Sequence, residues 1–173
     1  MRLPPLLLLA LIARPLAAQH EHAAPERSPY ADLTQRDIKA LSAEEVGQYH
    51  AGEGMGLALA AELNAYPGPK HALELATELD LAPTVIARIR LIADSMRVRA
   101  VDLGERIVTA ERELDRAFAA RTADDGRLRA ATTEIARLQG ELRYTHLGAH
   151  IAVTALLTPA QIERYQRARG YRP

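Results

Sequence analysis

Two tracts of small and apolar residues, spaced alternately three and four apart, constrain this chain more than any other feature. The first runs Ile86, Ile89, Ala93, Met96, Ala100, Leu103, Ile107, Ala110, Leu114, Ala117, and the second Leu128, Ala131, Ile135, Leu138, Leu142, Thr145, Ala149, Ala152, Leu156. Residues 121–126 (RTADDG) separate them with a turn. Three–four spacing sustained this long lines one stripe of a helix, and two such stripes joined by a short connection fold back on each other. The pattern predicts an all-α protein built on a long antiparallel helical hairpin. Pro83 suits the first helical position, where its missing N–H costs little. The arms are then roughly 38 and 32 residues, or about 57 and 48 Å. Folding at residue 123 sets Leu103 against Leu142, Ile107 against Leu138, Ile89 against Leu156, and Met96 against Ala149 and His150.

The seam so formed is thin. It is rich in alanine, and the whole chain has one Phe, six Tyr and no Trp, whereas a deep core draws on aromatic bulk. Cysteine is absent, so no disulfide adds stability. The hairpin therefore needs residues 42–79 packed across it, or a second chain, and a homodimer is expected.

The preceding residues organise into shorter pieces. Residues 1–18 combine a positive start, an apolar run and a small-residue end, the pattern of a secretory signal peptide cleaved near Ala18. Residues 19–33 are polar and without period, a loose N-terminus, and residues 34–173 form the helical domain. A short helix is expected from Thr34. Ser42 with Glu45 forms a capping box opening a helix to about Asn64. Gly47, Gly52, Gly54 and Gly56 inside it suggest a bend or the close approach of another backbone. Tyr66-Pro67-Gly68-Pro69 makes a turn, and Lys70–Leu79 a short helix.

Composition excludes several functions. There are 22 basic and 22 acidic residues; without residues 1–18, which contain Arg2 and Arg14, the balance is 20 to 22. A near-neutral chain offers no electrostatic case for nucleic acid. No stretch is apolar and long enough for membrane insertion. Neither a nucleophile–base set nor a phosphate loop stands out, and Gly52–Gly56 (GEGMG) lacks a dinucleotide loop's strand-turn-helix context. An enzyme is not expected, and no cofactor is required.

Histidines supply the candidate metal ligands. His146 and His150 lie four apart on a helix, so both imidazoles share one face; His50 and Met55 stand on the helix that crosses near them. A His set suits zinc, and a His–Met set nickel, cobalt or copper. The other reading of the pair is interfacial histidines bonded to carboxylates or carbonyls, because two ligands do not complete a zinc site. His20 and His22 belong to the loose N-terminus, and His71 and Met55 read as packing residues. The hairpin arginines alternate with acids, as on a solvated, salt-bridged face.

The last helix opens with Leu157-Thr158-Pro159-Ala160-Gln161. Thr158 caps, Pro159 is the first helical residue, and Gln161 closes the capping box. Leu157, Thr158 and Gln161 match the LTxxQ motif, and the chain resembles the Spy/CpxP superfamily over roughly residues 42–170. An earlier, degenerate copy stands at residues 81–85, where only Leu81 matches. Residues 54–69 are similar to a subgroup labelled periplasmic heavy-metal sensors or refolding chaperones. The resemblance implies a periplasmic, ATP-independent chaperone or envelope-stress protein that binds unfolded or envelope proteins. The alternative it implies is a heavy-metal sensor or resistance protein using the His pair.

Overall fold

The computed structural model describes residues 27–172; the expected signal peptide, His20 and His22 lie outside these. The described residues fall into two units, 27–32 and 33–172. The described part of the first is a short turn closed by Arg27 on Asp32 at 2.9 Å. A 3-10 helix occupies Ala31–Gln35, where a short helix from Thr34 is expected.

The second unit is helical throughout its regular structure: α1 (Ala43–Ala51), α2 (Leu59–Glu62), α3 (Pro69–Glu74), α4 (Pro83–Ala119), α5 (Asp125–Thr154) and α6 (Pro159–Ala168). The hairpin is α4 and α5, of 37 and 30 residues. Asp124 caps α5, its side chain accepting from Arg127 N–H. Ala100, Leu103, Ile107, Leu138 and Leu142, all heptad positions, form one buried seam. Ile89 and Leu156 meet at the open end of the hairpin, in a second cluster that also holds Leu79, Leu81, Val153, Leu157 and Tyr165. Each fully buried Leu or Ile here contributes roughly 1.5–3 kcal/mol.

The thin seam is covered, as its composition requires. Helices α1 and α3 pack on α4, and α2 and α3 on α5. Ile38 and Leu41 close over Val108 with Val46 and Tyr49 beside them. Both capping boxes are formed: Ser42 with Glu45, and Thr158 with Gln161. The Ser42 bonds hold the Glu45 carboxyl below its ordinary value.

The helix that starts at Ser42 ends sooner than its sequence suggests. It stops at Gly52, whose φ of 65° and N–H bonds to the Gln48 and Tyr49 carbonyls make a left-handed cap. Turns carry the chain to Leu59, with Met55 and Gly56 also at positive φ. Glycines 52–56 are thus a stop and a turn, not the interior of one helix. Gly52 also meets the expected close approach, since a Cβ there would lie 3.2 Å from the Arg97 carbonyl oxygen of α4; a tighter one occurs at Gly104 of α4. A Cβ there would strike the Tyr49 carbonyl oxygen of α1 and lie 2.8 Å from its carbon. Likewise the Lys70–Leu79 segment is helical only through Glu74; turns follow to Asp80, which has a φ of 52°.

Candidate functional site

Helix α4 is apolar on more than its seam. Leu91 and Val98, seven residues apart, lie off the heptad stripe and are 69% and 73% exposed. Beside Leu91 a shallow groove of about 400 Å³, open to solvent, runs between the arms. Ile92 and Met96 line it from α4, and Gly148, Ala149 and Ala152 from α5. A second hollow continues along α4 past Ser95, Val98 and Asp102. Small α5 residues leave this floor low, while Leu91 and Val98 stand up at its edge. This apolar surface, uncovered by any other described element, is the kind of patch that marks an interaction site.

Nearer the hairpin tip the same surface becomes charged. Arg99 meets Glu141 at 2.8 Å, Arg137 bridges Glu141 and Glu134 at 2.7 Å each, and Arg106 reaches Glu134 at 3.6 Å. Asp102 closes the ring, 3.8 Å from Arg106 and 4.0 Å from Arg99. Six alternating charges therefore tie α4 to α5. Arg137 bonds hold the Glu134 carboxyl below its usual range. Such exposed pairs contribute little stability, but the ring gives the apolar groove a polar, charge-balanced border.

The histidine pair lies elsewhere on α5. His146 and His150 are buried, 4% and 8% exposed. His150 Nδ1 donates to the Tyr66 carbonyl at 2.7 Å; a carbonyl only accepts, which assigns the proton to that nitrogen. Gly68 makes room for the ring: a Cβ there would lie 2.7 Å from His150 Cε1. His146 Nε2 is buried with no hydrogen-bond partner. His50, by contrast, is exposed in the last turn of α1. Among the described residues no three His, Cys, Asp or Glu side chains are grouped to hold a metal ion. His50 is therefore not joined to the pair, because α1 ends at Gly52 and its last turn leaves that side chain in solvent.

Burial holds the His146 imidazole below its ordinary value, and His150 pushes it the same way. A base depressed in the fold stabilises above its unfolded value of about 6.5, and that stability is lost as pH falls from there toward the folded value. The urea midpoint is expected to drop between pH 7.5 and pH 5.5, and His146→Leu to flatten part of that slope. An unchanged slope in the variant would assign the titration to other groups.

One buried carboxylate organises the neighbouring region. Glu62 at the end of α2 is 6% exposed. Its Oε1 accepts from Tyr165 Oη at 2.5 Å, Tyr171 Oη at 3.0 Å and His71 Nδ1 at 3.2 Å. Burial pushes this carboxyl up; the two hydroxyls, then His71 and His150, outweigh it and hold it below its ordinary value. His71 is thus a structural residue bonded to Glu62.

The pentapeptide before α6 does more than cap. Leu157 is buried, and Gln161 Oε1 accepts from Thr158 N–H. Gln161 Nε2 meanwhile donates to the Leu79 and Asp80 carbonyls at 3.3 and 3.4 Å. The motif therefore ties the start of α6 to the turn that precedes α4. At that turn Ala82 occupies the N-cap of α4 with no side-chain bond, because alanine has no side-chain oxygen to accept one.

Sequence reasoning passed over the groove, Gly104 and Glu62. Two signals were present: apolar Leu91 and Val98 outside the stripe, and a lone carboxylate within the apolar run 57–63. Comparison with protein-family models, curated proteins and solved structures finds no match to this chain.

Proposed function

We propose that this chain is an exported, periplasmic, ATP-independent chaperone or envelope-stress protein that holds unfolded clients on the hairpin. The observation that carries this reading is the open apolar groove with Leu91 and Val98 at its edge and the six-charge ring beside it. A shallow, apolar surface takes many sequences because hydrophobic contact is non-directional, and a charge-balanced border suits clients of either sign. The LTxxQ resemblance to the Spy/CpxP superfamily supports the same reading. No described helix is long and apolar enough to cross a membrane, consistent with a partner surface facing water. Suppression of aggregation of a denatured client, without ATP and at equimolar protein, is expected; unimpeded aggregation would count against the reading.

A second reading, a heavy-metal-binding sensor, draws on one observation, the unpartnered His146 Nε2 beside His150. Nickel, copper, cobalt and zinc are its candidate ions. Calorimetric titration would detect it, and His146→Ala/His150→Ala should abolish the signal; equal binding by the variant would remove the reading.

A further inference from the structure

Helix α6 is attached in an unusual way. It makes no extensive helix-on-helix contact and is held instead by side chains. Leu157, Ile162, Tyr165 and Tyr171 lie on the apolar cluster at the open end of the hairpin, and Gln161 fixes the first turn. From the C-terminal half, three side chains converge on one group: Tyr165, Tyr171 and, at 3.6 Å, the Arg169 guanidinium all face Glu62 Oε1. Beneath them Leu79, Ile89 and Val153 are fully buried.

We propose that Glu62 is the release point of a clasp holding α6 and the residues after it over this apolar cluster, so that one proton on that carboxylate frees the strap. The inference stands on the geometry of this node and is independent of what the groove binds. Both oxygens matter to it. Oε1 is the shared acceptor, and hydrogen bonds to a charged acceptor are about twice as strong as neutral ones. Oε2 is buried without a hydrogen-bond partner, so a proton placed there meets no acceptor while Oε1 loses its charge.

The groups facing Glu62 come from every element packed around it. They are His71 of α3, His150 of α5 with Nδ1 3.7 Å from Oε2, Tyr165 of α6, and Arg169 and Tyr171 beyond it. Positive charge on either imidazole only adds attraction to the anion, so release waits for Glu62 itself. Burial and then Glu62 hold the Tyr165 hydroxyl well above its ordinary value, keeping it a donor. The sign follows from the depressed carboxyl: its stabilisation is complete above the unfolded value of about 4.3. It is lost as pH falls through the lower, folded value. The clasp therefore opens in acid and presents apolar surface that is covered at neutral pH.

Hydrogen exchange on the full chain, corrected for intrinsic rates, tests this. Between pH 6 and pH 3, protection in α6 is expected to fall roughly ten- to a hundredfold, the equivalent of one charged hydrogen bond, before the seam amides of Leu103 and Leu138 change. Glu62→Gln should place α6 in that state at pH 7, raise binding of an apolar dye, and remove the further change with pH. Tyr171→Phe, half-buried at the edge of the node, should loosen α6 partially while leaving the seam intact. Loss of α6 and seam protection together in wild type and in Tyr171→Phe would overturn the clasp. So would wild-type protection of α6 in Glu62→Gln.

Discussion

Replacing Gly104 by valine is expected to cost about 3 kcal/mol or more, at the top of the range for overpacking, and to lower Tm by about 10 °C for a domain of this size. The reason is the identity of the obstacle. A Cβ at 104 meets the Tyr49 carbonyl oxygen and carbon and comes within 3.1 Å of its Cα. Backbone cannot rotate away as a side chain can, so α1 as a whole must lift. Lifting it strips Tyr49 from both the seam and the Ile38–Leu41–Val108 cluster, adding lost burial to the clash. Gly140 is the control. It is exposed on α5 with nothing within 4 Å of a Cβ, so Gly140→Ala should stabilise by about 1 kcal/mol through helix propensity alone. Thermal unfolding of both variants decides the matter; a Gly104→Val protein melting with the wild type would mean that α1 does not sit against α4.

That contrast shows why parts of the fold are legible in the sequence and others are not. The hairpin follows from the 3.5-residue period, which the chain carries in two long tracts on either side of one turn. The two capping boxes are equally local, each needing four residues. Gly52 and Gly104 are different: a glycine in a helical pattern can be a stop, a bend or a contact, and the choice depends on which backbone arrives. Gly52 proved both a stop, with φ 65°, and a contact against the Arg97 carbonyl of α4, and Gly104 a contact against α1. The Glu62 node is further still from local reading, since its hydroxyl partners lie 103 and 109 residues away. For the histidines, spacing gave the shared helix face of His146 and His150. It did not give the Tyr66 carbonyl that occupies His150, nor the early end of α1 that leaves His50 in solvent.

Leu91→Asp/Val98→Asp is expected to abolish suppression of client aggregation while leaving Tm almost unchanged. Both side chains project from α4 into solvent, and substitution at such positions usually shifts stability by no more than about 0.5 kcal/mol. The same exposure makes them the part of the surface a client meets first. Placing a carboxylate at each edge position forces any apolar segment in the groove to desolvate a charge without a partner, which costs several kcal/mol. That exceeds what a shallow hydrophobic contact returns at about 25 cal/mol per Å². Tyr144→Asp separates this effect from charge in general. Tyr144 is 77% exposed on α5 but outside the groove lining, so that variant should hold clients as the wild type does. Raising ionic strength provides an independent axis: it screens the Arg99–Glu141–Arg137–Glu134–Arg106–Asp102 ring but leaves apolar contact in place. A client held by the groove remains held in high salt and is lost in the double aspartate variant. A client held by the charged border shows the reverse, and wild-type activity of Leu91→Asp/Val98→Asp would remove the groove as the binding surface.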